Sequence, residues 1–376
     1  MPGADFDVII VGGGIAGASA AYFLSASRNV LLLEKESAPG YHATGRSGAI
    51  WVASYGNEAV RALNRATGPF LISPPEEFAT VPLVGPPCGV MTLAGLGDGA
   101  LLDDIEKRPD RTEGLVRMTP AQAKAHVSIL RQDRLAGAIF DPDARMIDVD
   151  ALLQAYLRGA KKRCAQIWTD AEVTGLKREG GLWQVDSQVG PVCAPIVVNA
   201  AGAWAGRVAA LAGARPITVL PMRRTGVIVD APEGAQIGGW PLVLDARETF
   251  YFKPDAGKLM LSPADETPSE PMDAFPDEMD VAVAIDRVQQ MADLPVRRVN
   301  HAWAGLRTFS PDRTPIVGFD TQAKGFFWLA AQGGYGLQTS AALGTIAAAL
   351  IGGEALGDDL IGHGVDLAAL DPGRFA

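Results

Sequence analysis

The chain has 376 residues, 48% of them hydrophobic and 20% charged, which is enough to bury the cores of two intimately joined domains. Its formal charge of −10 argues against nucleic acid or an anionic membrane surface as a main partner. Three cysteines at unrelated spacings, Cys88, Cys164 and Cys193, fit neither a disulfide framework nor a metal site and suit a reducing compartment. Asp5 and Asp7 stand just before the first apolar run, which speaks against a signal peptide. The apolar stretch 337–351 contains Gln338, Thr339 and Ser340 and is too short to span a bilayer, so a buried helix is expected there. The expectation is a cytoplasmic enzyme without a transmembrane segment, with a peripheral contact to the inner face of the membrane left open.

The first element is an apolar strand from Asp7 to Val11, followed by Gly12-Gly13-Gly14-Ile15-Ala16-Gly17 and a helix. A second apolar strand, 29–33, ends in Glu34, twenty-two positions after Gly12. This is the full context of a dinucleotide-binding G-x-G-x-x-G turn. Gly12 permits the tight turn, Gly14 lets the backbone approach a pyrophosphate, and Gly17 lets helix and strand pack closely. The helix N-terminus offers free N–H groups and a positive dipole end to phosphate, and Glu34 stands where a ribose diol would donate to it.

A small-residue loop covers 35–48, and residues 57–70 have helical periodicity with Asn57 as N-cap. Pro74-Pro75 breaks the pattern, and 81–93 reads as a short β segment. Asp148 opens a helix running to about Arg163. Residues 167–173 lead into a hairpin around Gly180-Gly181, and 196–199 is a buried strand entering a second glycine turn at Gly202. Both glycine turns are expected on one edge of one sheet. The 216–263 stretch alternates strands and turns in an antiparallel pattern, followed by a helix over 277–291. A buried strand at 326–331 precedes Gln332-Gly333-Gly334-Tyr335-Gly336, read as a turn directly opening the last apolar helix. The fold class is therefore α/β (α+β): a Rossmann-like nucleotide domain formed by 1–80, 145–215 and 305–376. A mostly antiparallel β-sheet substrate domain, 81–144 and 216–304, is inserted into it.

A C-terminal glycine turn returning to the nucleotide site suits flavin better than nicotinamide, because a reduced flavin carries negative charge that backbone N–H groups can face. Three arginine segments flank the site: the Arg46 loop, Arg223-Arg224 and Arg307. A guanidinium fork suits carboxylate binding, and Arg307, set among apolar residues, needs an anionic partner, either a ligand or an internal acid. Tyr55 and Tyr251 could donate hydroxyls to the same anion or simply pack. His42, His126, His301 and His363 are scattered without metal-ligand spacing, and the charged run 103–113 reads as solvated surface.

These blocks, in order, resemble the D-amino acid oxidase (DAO) superfamily of FAD-dependent oxidoreductases across essentially the whole chain, and within it most closely the pattern of bacterial D-arginine dehydrogenases. The resemblance rests on Pro39-Gly40-Tyr41-His42-Ala43-Thr44-Gly45-Arg46-Ser47, Asn199-Ala200-Ala201-Gly202-Ala203-Trp204, Phe250-Tyr251-Phe252-Lys253-Pro254-Asp255-Ala256-Gly257, Trp303-Ala304-Gly305-Leu306-Arg307 and 330–336. It implies FAD held at Gly12, Gly14, Ile15, Ala16 and Gly17, at Glu34 and Lys35, and at Thr44, Gly45, Arg46 and Ser47. It extends that set to Val173, Ala201, Gly202 and Trp204, and to Arg307, Gly333, Gly334, Tyr335, Gly336, Leu337 and Gln338. It further implies that Arg224 and Arg307 clamp a substrate carboxylate, with Tyr251 and Tyr55 adding hydroxyls, Tyr55 on a mobile lid, and the Gly334 carbonyl touching the substrate amine. The implied reaction is oxidative deamination of a D-amino acid: hydride leaves Cα for flavin N5 and the imino acid hydrolyses to a 2-oxo acid and ammonia. The electron acceptor, quinone, another carrier or O2, is left open.

One departure stands out. Gly89 occupies the position where that pattern has a glutamate for a cationic side chain, and Ile50 and Val52 replace polar lid residues. Neutral, apolar or bulky side chains are therefore expected. With no cysteine after Cys193, non-covalent FAD is expected. Oxidation of secondary amines such as sarcosine, N-methyl or cyclic amino acids is the second reading, and a non-catalytic flavoprotein subunit the third.

Overall fold

The computed structural model describes residues 4–108 and 114–375. The central layer is a six-stranded sheet in the order Ile316–Phe319, Phe326–Ala330, Ile196–Asn199, Val8–Val11, Val30–Leu33, Gln166–Trp168. All neighbours run parallel except Ile316–Phe319, which returns antiparallel at the edge. Every residue of Val8–Val11, Val30–Leu33 and Phe326–Ala330 is buried, as expected for strands covered on both faces. Successive side chains divide between the two faces. Val8, Ile10, Val30 and Leu32 pack with the helices Ile15–Leu24, Val149–Lys162 and Ser340–Gly352, while Ile9, Val11, Leu31 and Leu33 pack with Trp183 and Val185. The second face is covered by the antiparallel sheet Val173–Glu179, Leu182–Ser187, Val192–Ala194, which contains the expected hairpin.

Val8–Val11 lies beside Ile196–Asn199 with Val11 opposite Asn199, so both glycine turns leave the same edge of the sheet. Helix starts follow their caps: the Asn57 side chain accepts from Val60 N at 3.0 Å and Asp148 from Ala151 N at 2.9 Å.

The second large sheet runs Gln332–Gly333, Val299–Phe309, Leu220–Val229, Lys258–Ser262, Tyr251–Asp255, Leu242–Asp245, Val90–Gly95, Leu135–Asp141, Val116–Met118, mostly antiparallel. One of its faces packs on the helix Glu278–Met291 through Val227, Phe252, Leu259 and Leu261; the other presents Arg224, Tyr251, Met260 and Arg307 to the interior. The 304/305 boundary falls inside the continuous strand Val299–Phe309, so the arginine at 307 is carried by this sheet.

Two local expectations are corrected. The β segment 81–93 is two strands, Val84–Pro87 and Val90–Gly95, parted at Gly89, whose φ of +76° takes it into the left-handed region. The 333–336 turn does not open the last helix. Gln332–Gly333 pairs with Thr308 and Phe309, a further turn follows, and the helix begins at Ser340. Of the charged run 103–113, residues 109–113 lie outside the described residues; within it, Asp103 and Glu106 bind Arg117 at 3.0 and 2.9 Å.

Candidate active site

Two cavities meet between the sheets. The larger, about 540 Å³, begins at the first glycine turn and Glu34, passes Thr44, Val173 and Trp204, and ends at Arg224, Tyr251, Arg307 and Gly334. The smaller, about 160 Å³, lies beyond it under Ile50, Val52 and Tyr55, and shares Ser47, Gly48, Tyr251, Arg307, Gly334 and Leu337 with the larger. An elongated pocket therefore leads from a nucleotide-type turn past two arginines into a side chamber.

At the nucleotide end, Gly12 has φ +109° and a Cβ there would sit 2.5 Å from the Ala200 carbonyl oxygen. A Cβ at Gly17 would be driven into the Gly12 carbonyl oxygen, which explains the close helix–strand contact. Gly14 is the N-cap of the first helix, whose first turn holds no acid, so its dipole is left to an anion. Thr44 Oγ1 accepts from Ile15 N at 3.0 Å and fixes the 40–48 loop over the turn. Both oxygens of the buried Glu34 carboxylate accept backbone N–H groups, from Gly13 at 2.7 Å and Glu36 at 2.9 Å, leaving each a lone pair for a ribose hydroxyl. Lys35 lies 3.7 Å over the Trp204 ring.

The residues expected at the cofactor fall into three groups. Gly12, Gly14, Ile15, Ala16, Glu34, Lys35, Thr44, Ser47, Val173, Ala201, Gly202, Trp204, Arg307, Gly333, Gly334, Gly336 and Leu337 line the larger cavity. Gly17, Gly45 and Tyr335 do not: Gly17 serves helix packing, Gly45 N donates to the Gly40 carbonyl, and Tyr335 packs with Val60 and Phe309. Gln338 lines the smaller cavity, where its Oε1 accepts from Val52 N at 3.0 Å. Arg46 lines the larger cavity, but its guanidinium is spent on the chain itself. It donates to the carbonyls of Ala274 at 2.9 Å and Ala304 at 3.0 Å and pairs with Asp273. Arg223 turns away to Asp280 at 2.7 Å.

The two clamp candidates differ in the same respect. Arg224 donates to the Asp265 carbonyl at 2.8 Å and to Glu266 at 3.1 Å. Burial and the neighbouring Arg307 lower its pKa. The Arg307 guanidinium forms no hydrogen bond or ion pair among the described residues. Its guanidinium covers Gly334 so closely that a Cβ there would lie 2.7 Å from Nη1. Burial works against the charge of Arg307, but the surrounding hydroxyls of Tyr251, Tyr55 and Tyr335 outweigh it and raise its pKa. Burial would raise the Tyr251 hydroxyl, yet Arg307 and Arg224 draw it below its ordinary value. Tyr55 donates to Glu248 at 3.2 Å and meets the Tyr335 ring edge-on at 5.6 Å; burial and Glu248 push its pKa up.

The segment around Tyr55 is pinned at its base. Val52 O and Tyr55 O both accept from the buried Asn64 side chain at 3.0 Å, and Gln338 holds Val52 N. Further along, Ser54 and Tyr55 reach across to Asp141 and Glu248. These two acids were not picked out from the sequence. Their place follows from long-range strand register, which leaves no local signal. No group of three or more His, Cys, Asp or Glu side chains suited to a metal ion occurs among the described residues.

The fold and the pocket define a flavin-type oxidoreductase: a dinucleotide turn continuing into a chamber lined by two arginines. Residues 7–350 match the FAD dependent oxidoreductase (DAO) family, and the chain belongs to it. It is 26% identical to mitochondrial dimethylglycine dehydrogenase of Mus musculus over 408 residues, covering 98% of this chain and 44% of that protein. It is also 26% identical to glycine oxidase of Geobacillus kaustophilus over 364 residues, covering 92% and 93% of the two chains. The chain thus spans less than half the length of the dimethylglycine dehydrogenases it matches. Among solved structures, the G. kaustophilus glycine oxidase superposes with a TM-score of 0.83 at 23% identity, covering 96% and 98%. L-proline dehydrogenase from P. horikoshii superposes with a TM-score of 0.84 at 22% identity, covering 100% and 98%. The protein is an FAD-dependent oxidoreductase. None of the relatives named here is a D-arginine dehydrogenase, and no helix among the described residues is long and apolar enough to cross a membrane.

Proposed function

We propose that the chain oxidatively deaminates D-amino acids with neutral side chains. The observation that carries this reading is Arg307: a half-buried guanidinium without a protein partner among the described residues, beside Tyr251, where the two cavities join. An isolated buried charge is costly, and a substrate carboxylate in the fork of Arg307, with Arg224 on its other side, removes that cost. Holding the carboxylate there sends the side chain into the smaller cavity, whose Ile50, Val52, Val90 and Leu242 walls suit an apolar stem. The Gly334 carbonyl accepts from the substrate amine, which must be neutral before oxidation. No side-chain base stands out, so water takes that proton. When bound, FAD supplies the two-electron acceptor for the Cα hydride at flavin N5. The two sheets keep the reacting carbon away from bulk solvent, and positioning of this kind can be worth up to roughly 7–11 kcal/mol of barrier.

A second reading, oxidation of secondary amines, uses the same clamp. It is favoured by relatives named for dimethylglycine and sarcosine and by a fold neighbour named for L-proline. A non-catalytic flavoprotein subunit is the weakest reading, since a carrier has no use for a carboxylate clamp. Anaerobic bleaching of the flavin absorbance by paired D-, L- and N-methyl amino acids separates the three. D-isomers alone should reduce the unaltered enzyme. Arg307→Lys, which keeps charge but loses the fork, should retain FAD and lose about 10- to 150-fold in kcat/KM, the equivalent of roughly 1.5–3 kcal/mol. Reduction led by N-methyl substrates would install the second reading, and no reduction by any would leave the third.

A further inference from the structure

The smaller cavity is not uniformly apolar. Asp141, only 5% exposed, forms part of its wall. It ends the strand Leu135–Asp141 and stands opposite Val90, one position past Gly89. Gly89 cannot carry the acid itself, since its backbone is left-handed and a Cβ would collide with the Phe140 ring. A carboxylate on the neighbouring strand therefore faces the chamber that position 89 leaves without one. Its two oxygens accept from Ser54 Oγ at 2.7 Å and Asp143 N at 3.2 Å. No ion pair holds it among the described residues, and burial pushes its pKa up against those two bonds. A carboxylate has about four acceptor sites, so about two remain. The other acids on this wall are engaged differently. Asp245 is buried and takes both the Thr249 N–H and hydroxyl, whereas Glu248 is exposed and takes Tyr55. Arg108 lines the same cavity, so the chamber is not purely acidic.

We propose that Asp141, oriented by Ser54, reads the far end of the substrate side chain, and that the preferred substrates carry an uncharged hydrogen-bond donor there: a carboxamide or hydroxyl, in place of a methyl or an ammonium group. The inference rests on the carboxylate-clamp reading, which sends side chains into this chamber. A site with a buried acceptor discriminates strongly against an analogue that leaves it unpaired, while a purely apolar wall barely separates isosteres.

The test uses the FAD-loaded enzyme with the near-isosteric pair D-glutamine and D-methionine, and D-lysine as the charged arm. Binding is read as Kd from perturbation of the oxidised flavin spectrum, separately from the rate of flavin reduction. Absence of reduction then counts against the clamp reading, and absence of a binding preference counts against this one. D-Glutamine should bind at least about tenfold tighter than D-methionine, and Asp141→Asn and Ser54→Ala should each narrow that ratio while D-methionine is unmoved. The ratio in the unaltered enzyme needs no variant and stands even if Asp141→Asn folds poorly. Equal binding of the pair, a ratio untouched by both variants, or D-lysine leading by about tenfold overturns the assignment.

Discussion

Tyr251 shows how much chemistry one hydroxyl can report. Burial alone would keep it protonated, but the guanidiniums of Arg307 and Arg224 outweigh burial and hold its pKa below the ordinary value of 10.0. A carboxylate entering the clamp neutralises those charges, so the bound state favours the protonated hydroxyl. The sign follows from linkage: ligand affinity is full below the free-enzyme pKa of Tyr251 and falls as pH rises through it. Binding of a carboxylate ligand, followed by flavin perturbation from pH 7 upward, should weaken on the alkaline side in the unaltered enzyme. Tyr251→Phe should bind more weakly at neutral pH, having lost a donor, but without that alkaline limb. An unchanged limb in the variant would assign the titration to another group. At this scale the sequence named side chains that line the pocket, but not their states. Arg224 and Arg307 look alike as letters, yet Glu266 satisfies one and the other stands without a protein partner among the described residues. Only the fold decides which arginine an internal acid reaches.

At the scale of elements, periodicity and capping carried far. The strands around both glycine turns, the Asn57 and Asp148 helix starts and the hairpin at Gly180-Gly181 all follow from local patterns. The break at Gly89 and the detour between Gly336 and Ser340 do not, because tertiary pairing dictates them: Phe140 occupies one and the Thr308–Phe309 edge captures the other. The role of the Arg46 side chain depends on tertiary pairing in the same way. Its loop position suggested the cofactor, but its side chain fastens the 40–48 loop to Ala274, Ala304 and Asp273, while Trp303 Nε1 donates back to the Arg46 carbonyl at 3.0 Å. The loop in turn places Thr44 against the first helix. Arg46→Ala leaves the buried Ala304 carbonyl without this donor, a loss of about 1–3 kcal/mol. The expected result is a lower Tm together with a weaker FAD Kd, measured by flavin fluorescence. Lysine at 46 should rescue little, since one ammonium cannot serve two carbonyls and a carboxylate in the guanidinium plane. Unchanged FAD affinity in Arg46→Ala would show that the loop holds its place without this anchor.

Considered whole, the molecule is two sheets with a cavity of about 540 Å³ between them, lined from one side by Gly12, Gly14, Glu34 and Ala201 and from the other by Arg224, Tyr251 and Arg307. A cofactor filling that space touches both layers, so it is part of what joins them. No cysteine lines the cavity among the described residues, and the His42 ring beside it is engaged with Glu36 at 2.8 Å. The proposed attachment is therefore non-covalent. Stabilisation by a ligand bound only to the native state grows as RT ln(1 + [L]/Kd), about 2.7 kcal/mol at a hundredfold excess. Stripping FAD should lower the Tm, and adding it back should raise the Tm with a logarithmic dependence on concentration, as linkage requires. Acid precipitation should leave the yellow colour in the supernatant. A yellow pellet, or a Tm indifferent to added FAD in stripped protein that still binds it, would mean that the cofactor is tethered or that the two sheets hold together without it. The distinction bears on catalysis as well. If the cofactor fastens the nucleotide sheet to the clamp sheet, loss of the Arg46 anchor, which also holds Ala304 on the strand of Arg307, should raise KM as well as weaken FAD.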